Sequence, residues 1–410
     1  MVMKRVVVSG VGLVTPLGLD AEASFASLAA GKSGVKRLVS YDPAGEKVVV
    51  GSEVGPEDVQ SMADELPQEV RDRSTRFVWF GVKAGREALN AAGGIHKEPS
   101  VAEAFGVVTG VGYGVPMPSE GYKVGPTTII KSMPNAVAAW LAILEGLKGP
   151  NLCCSSACAS GAHAIGVAFD QIRLGRAVGM LAGGVDTVVT RDVMRSFAWL
   201  RALNTSKDED PAKMSRPFDK TRRGFVLGEG AGFLVLEERE HALARGARIY
   251  AEMSGWGASS DAHHIVAVDP EGRGMAKAMR MALDDSGMAP EALDYISAHG
   301  TSTPMNDRLE TRAIRDVFGK HADNLMVSSQ KSMLGHAMGG AGSVEAVVTV
   351  LTVDKGLVTP TINLVNPDPE CDLDYVPHVS RTANIRAAMS NSFGFGGHDS
   401  AIVFAQPAGH

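Results

Sequence analysis

The stretch Asn151-Leu152-Cys153-Cys154-Ser155-Ser156-Ala157-Cys158-Ala159-Ser160-Gly161, with the small-residue run behind it, decides how this chain reads. Residues 151–155 form a short, largely apolar run after Gly149-Pro150, a pattern that predicts a buried strand. From 159 to 173 the spacing turns helical, with Ala162, Ile165, Ala168, Phe169 and Ile172 on one side. Cys158 therefore falls where a strand hands over to a helix. Unpaired backbone N–H groups and the positive end of the helix dipole gather there, and both favour a thiolate. Cys158 is a candidate nucleophile expected to ionise readily. Cys153 and Cys154, inside the strand, read as small buried hydrophobes. A metal site from Cys154, Cys158 and His163 is conceivable but disfavoured: the spacing is not a recognised zinc pattern, and the apolar, Gly/Ala-packed setting supplies no fourth ligand.

At 410 residues the chain is long enough for two domains or one large two-lobed one. A hydrophobic content of 45% with 47 glycines suits an α/β protein with many tight turns and excludes a disordered or fibrous chain. The net charge of -6 gives no ground for nucleic-acid binding. Four cysteines without a paired framework fit a reducing compartment. No signal-peptide pattern opens the chain, and no run reaches the roughly eighteen apolar residues of a membrane span. No membrane partner is expected, and the cytoplasm is the expected location.

Residues 5–9 read as a strand ended by Gly10-Val11-Gly12, and 75–92 as a long helix stopped by Gly93-Gly94. A strand over 105–109 feeds Gly110-Val111-Gly112-Tyr113-Gly114, which lacks the helix start and downstream acid that a dinucleotide site needs. Strands are expected at 179–184, 233–236 and 249–257, and a helix at 272–286. A theme then recurs. The strand at 295–299 leads through a polar turn to a helix over 307–318. The strand at 324–329 leads through Lys331 and His336 to a small-residue helix over 338–353. Strand, Ser-Ser, turn and small-residue helix thus occur twice, at Ser155-Ser156 and Ser328-Ser329. The repetition points to two similar α/β halves, 1–250 carrying the nucleophile and 251–410 carrying two histidines.

Four clusters carry the chemistry: Cys158; His299 in Ala298-His299-Gly300-Thr301-Ser302-Thr303; Lys331 and His336; and Phe393-Gly394-Phe395-Gly396-Gly397. Both histidines lie at or just beyond strand ends, where layered α/β proteins bind ligands. A sulfur that takes an acyl group, beside imidazole N–H donors that stabilise an enolate, is a coherent acyl-transfer set. Lys331 could orient an imidazole or pair with Glu310.

Together the clusters resemble the elongating β-ketoacyl-[acyl-carrier-protein] synthases of the thiolase fold, of the fatty-acid or type II polyketide kind. Arg5-Val6-Val7-Val8-Ser9-Gly10-Val11-Gly12, Arg216-Pro217-Phe218-Asp219, Gly228-Glu229-Gly230 and Pro369-Glu370-Cys371-Asp372-Leu373-Asp374-Tyr375-Val376-Pro377 extend the likeness over essentially the whole chain. The resemblance implies an α/β, five-layered α-β-α-β-α thiolase fold and a two-fold dimer. It implies Cys158 as acylated nucleophile, His299 and His336 as aids to decarboxylation and condensation, and Lys331 as their support. The N–H groups of Cys158 and Phe395 would form the oxyanion hole, with Phe395 also gating acyl entry. Thr301 and Thr303 match positions that bind the phosphopantetheine arm of acyl carrier protein. Phe393 and His264 fall among the substrate-binding positions, and Val111 and Phe197 would line an acyl tunnel. Asp307 and Glu310 would buttress the site. Arg201, with Lys131 and Arg73 as neighbours, would dock the acidic carrier protein. No metal and no cofactor is implied.

The Cys-His-His set separates the chain from priming synthases, which use cysteine, histidine and asparagine. It also differs from thiolases, which carry a second catalytic cysteine, and from chain-length-factor subunits, which lack the nucleophile. A non-catalytic scaffold subunit is the alternative, and the dimer could be a homodimer or a heterodimer with a chain-length-factor homologue. Departures from the family pattern are Val266 where a pantetheine-binding Thr is expected, and a 114–131 segment that looks short.

Overall fold

Short apolar runs flanked by glycine become the strands of this computed structural model, which describes residues 3–114, 125–207 and 209–407. The main strands of the first half are β1 (Val6–Val14), β2 (Phe105–Gly110), β3 (Asn151–Cys154), β4 (Gly179–Asp186) and β5 (Gly230–Glu238). Those of the second are β6 (Ala251–Ser260), β7 (Tyr295–Ser297), β8 (Met326–Ser328), β9 (Ala387–Gly394) and β10 (His398–Ala405). Their order is β8-β7-β9-β10-β6-β1-β5-β4-β2-β3. In each half three strands pair in parallel and two more are added by antiparallel pairings, so the halves share one plan. They join where Val6, Val7 and Val8 pair with Met253, Glu252 and Ala251.

Six longer helices complete the layers: α1 (Arg76–Ala91), α2 (Ala136–Glu145), α3 (Ser160–Arg173), α4 (Arg273–Ser286), α5 (Pro304–Phe318) and α6 (Ala341–Lys355). α3 and α6 touch strands of both halves, so they lie between them; α1 and α2 cover the outer face of the first half, α4 and α5 that of the second. The result is the five-layered α-β-α-β-α arrangement. Period-two alternation sorts strand residues between layers. Leu234, Leu236, Ile402 and Phe404 join the central core, Phe233 and Val235 the first outer core, Ala401 and Val403 the second. α6 is buried from Ala341 to Val353, as a helix wedged between two sheets must be. Among the described residues no helix is long and apolar enough to cross a membrane.

Two expectations need correction. β1 does not stop at Gly10; it bulges between Val8 and Gly10 and continues to Val14. Gly10 and Gly12 are strand residues because a Cβ on them would come within 2.1 and 2.0 Å of the Ala88 and Ala84 carbonyl oxygens of α1. β3 is an edge strand, not a buried one: Asn151 and Leu152 are exposed, and Cys153 and Cys154 are half-buried. The 114–131 segment falls largely outside the described residues.

Candidate active site

Cys158 sits in the turn Ala157–Ala159 between β3 and α3. Ala157 is held at φ 50°, a left-handed conformation that costs an alanine on the order of 1 kcal/mol. Local bonds hold it there. The Ser156 N–H donates to Ser160 Oγ at 2.9 Å, and Ser160 Oγ donates to the Ala157 carbonyl at 2.7 Å. Gly394 abuts the same turn, since a Cβ there would lie 2.8 Å from the Ser156 oxygen and 3.2 Å from the Cys158 nitrogen. This close approach brings the backbone N–H of Phe395 to the Cys158 sulfur, beside the cysteine's own N–H. The expectation of ready ionisation fails here: burial pushes the Cys158 thiol up to about 11, outweighing the Lys331 charge and both N–H groups.

The two histidines arrive from the other half. His299 follows β7, where Glu310 of α5 accepts the backbone N–H groups of His299 and Gly300 at 2.8 and 2.7 Å. Burial raises the Glu310 carboxyl to about 7 against those two donors. His336 is fixed by its backbone, which donates to the Val226 carbonyl at 2.7 Å and accepts from Gly228 at 2.9 Å. Gly228 is the member of the Gly228-Glu229-Gly230 motif that does this, since a Cβ there would come within 2.5 Å of the Leu334 carbonyl oxygen. The Cys158 sulfur and a nitrogen of each imidazole lie within 4.8 Å of one another, and all three side chains are buried. The imidazoles meet edge to face, centroids 5.4 Å apart. Burial and the Lys331 charge hold both well below the usual histidine range, so both are neutral at physiological pH. Lys331 Nζ lies 3.3 Å from His299 Nδ1; an ammonium only donates, so neutral His299 carries its proton on Nε2.

These groups face a cavity of about 420 Å³. Of the sequence candidates, Cys158, His299, His336, Thr301, Thr303, Phe393, Phe395 and Arg201 line it. Thr301 and Thr303 hydroxyls lie 2.9 Å apart, and Val266 also lines the wall. Phe197 packs with Cys158 in one apolar cluster, its ring 6.4 Å from Phe395. Asp307 accepts the Phe218 N–H at 2.9 Å and faces Arg222 at 3.6 Å, behind the wall.

Four candidates fall elsewhere. Val111 is packed in the core between the first sheet half and α1. His264 is exposed, and its Nδ1 accepts the N–H groups of Val266 and Ala267 at 3.0 Å each, so it caps its own turn. Arg73 is exposed and paired with Glu69, and Lys131 is half-buried on the helix Thr128–Ser132; neither lines the cavity.

Two residues were missed. Lys331 pairs with Glu345 of α6, not with Glu310. Burial holds the Glu345 carboxyl up to about 7, against the Lys331 charge. Asp186, at the end of β4, accepts N–H groups from Gly112, Tyr113, Gly114 and Gly339 and ties that loop to the turn after His336. A lone acid inside an apolar run was the available signal for both.

Fold and site define a class: a thiol-dependent acyltransferase of the thiolase fold, with two neutral imidazoles set against one sulfur. The comparisons agree. The β-ketoacyl synthase N-terminal domain matches residues 3–242, and the C-terminal domain matches residues 250–365. The chain is 44% identical to the 3-oxoacyl-[acyl-carrier-protein] synthase 2 of Synechocystis sp., covering 98% of each. It superposes with a TM-score of 0.87 and 34% identity on the ishigamide ketosynthase/chain length factor, covering 99% of this chain and 100% of that one. With a TM-score of 0.86 and 33% identity it matches, over 99% and 100% of the two chains, a type II polyketide acyl-carrier protein in complex with its ketosynthase bound to the hexaketide. The chain belongs to the β-ketoacyl synthase family.

Proposed function

We propose that this enzyme condenses an acyl chain held on Cys158 with malonyl-acyl-carrier protein, giving a β-ketoacyl-acyl-carrier protein two carbons longer in fatty-acid or type II polyketide synthesis. One observation carries the reading: a sulfur and two neutral imidazoles within 4.8 Å of one another on one cavity wall.

In the first stage the Cys158 sulfur attacks the carrier-bound thioester. The oxyanion forms beside the N–H groups of Phe395 and Cys158, the phosphopantetheine thiol leaves, and the thiol proton goes with it. A thiol held near 11 favours such coupled transfer over a standing thiolate. In the second stage malonyl-carrier protein enters and loses CO2. The enolate oxygen takes hydrogen bonds from the imidazoles, and N–H on Nε2 is the tautomer His299 needs for that task. The carbanion attacks the Cys158 thioester, the C–S bond breaks, and the sulfur leaves as a thiolate that takes a proton from solvent. Thr301 and Thr303 suit the polar part of the pantetheine arm. The reaction draws on no metal or organic cofactor.

Acyl carrier protein is the partner, entering past exposed Arg201 at the cavity mouth. A dimer through the β3 edge, either a homodimer or a heterodimer with a chain-length-factor homologue, accounts for the apolar side chains Leu152 and Ile143, 45% and 69% exposed. The test is mass spectrometry after incubation with acyl-carrier protein. An acyl adduct should appear on Cys158, and Cys158→Ala should abolish adduct and condensation. No adduct on the wild-type cysteine favours the scaffold reading.

A further inference from the structure

The cavity wall carries two acids for which the condensation has no use. Asp261 lies just beyond β6 and Asp399 is the second residue of β10, and both line the cavity. Their carboxyl groups contact each other. A Cβ on Gly274 of α4 would stand 2.3 Å from Asp261 Oδ1 and 2.2 Å from Asp399 Oδ2, so both oxygens crowd one point. Both are buried, and neither finds a donor among the described residues. Two carboxylate oxygens can only accept, so such a contact is a hydrogen bond only when one carboxyl keeps its proton.

None of the charged neighbours offsets the crowding at Asp399. Asp269 donates its backbone N–H to Asp261 Oδ2 at 3.0 Å, but its own carboxylate adds negative charge. Arg273 of α4 is bonded to Asp269 at 2.8 Å and reaches Asp261 only as a more distant charge, behind Asp269 and Glu271. Arg223 lines the cavity and His398 is exposed on β10, and neither they nor any other described cation forms an ion pair with Asp261 or Asp399.

The pair also stands at a junction. The Asp261 N–H donates to the Gly397 carbonyl at 3.0 Å, and a Cβ on Gly397 would come within 2.5 Å of Asp261 Cβ. Gly397 closes the turn that carries Phe395, whose N–H reaches Cys158. We propose that Asp399 keeps its proton and donates it to Asp261, and that this carboxyl pair clasps the Phe395 turn to the 261–269 segment, positioning Phe395 for acyl transfer.

Its effect on acyl transfer rests on the condensing reading above; the clasp itself does not. Burial, then the Asp261 contact and the charge of Asp269, hold the Asp399 carboxyl up to about 8. Unfolded, it would ionise near 4, about the ordinary aspartate value. The folded protein therefore keeps a proton the unfolded chain releases, and the clasp weakens as pH rises through about 8.

The experiment compares wild type, Asp399→Asn and Asp399→Ala at pH 7 and 9 by thermal melting and by the rate of Cys158 acylation from acyl-carrier protein. The wild-type rate should fall roughly tenfold between the two pH values, following the protonated fraction, and its melting temperature should drop. An asparagine donates to Asp261 at either pH, so Asp399→Asn should lose both pH differences, while Asp399→Ala should be slow at both. The same alkaline fall in Asp399→Asn as in wild type would overturn the proton on Asp399. So would a wild-type fall abolished by added magnesium, which would put a cation between the carboxylates. Melting contrasts that persist with no acylation in any protein would leave the clasp standing and remove the condensing reading.

Discussion

The two walls of the cavity are built from opposite materials. On the Cys158 side, Val188, Val193, Met194, Phe197, Phe225 and Met338 form one buried apolar cluster with the nucleophile. Behind His299 and His336 the buried residues are Lys331, Glu345, Glu310 and Asn391, tied by hydrogen bonds. The first wall supplies shape for an acyl chain and suppresses the acidity of the thiol. The second supplies fixed charge, which adds to burial in holding the imidazoles neutral. Division between the halves keeps the sulfur in a dry pocket without stripping the histidines of the dipoles that orient them.

Lys331→Ala should break the polar wall most severely. It leaves Glu345 buried without its cation, a loss of about 3–5 kcal/mol measurable by denaturant unfolding. It also removes the positive charge that depresses His299, so the imidazole takes a proton at higher pH and the acid limb of malonyl decarboxylation moves to higher pH. Adding Glu345→Gln should recover stability but not the limb; recovery of both would mean that Lys331 acts on the fold alone.

The apolar wall is sharpened by a pair of truncations. Phe197→Ala should cost about 3–5 kcal/mol and widen the range of acyl chains accepted. Val111→Ala should cost about 2 kcal/mol and leave chain length unchanged, because Val111 lies in the outer core. A shift in product length with Val111→Ala, read by mass spectrometry of the acyl-carrier protein, would extend the pocket into that core.

Sequence reading recovered the residues whose neighbours are local. Cys158 was legible from its strand-to-helix turn, and His299 and His336 from strand ends. What it lost depended on distant packing. Glu345 lies fourteen residues beyond Lys331 in an apolar helix, and only the fold brings their side chains together. The two glycines of β1 read as a stop because nothing local reveals α1 pressed against them. The Cys158 thiol shows a contest of magnitudes: the helix mouth favours the anion, but complete burial wins. His264 and Val111 were assigned by likeness of position, and their own contacts put them elsewhere.

The sulfur and the imidazoles are held to do separate jobs within one cavity. The direct measurement follows acyl adduct on Cys158 and CO2 release from malonyl-carrier protein in parallel, for wild type, His299→Ala and His336→Ala. Both variants should still form the adduct at near wild-type rate while CO2 release falls by about 10²–10⁴-fold. Equal loss of the two signals would contradict that division of labour.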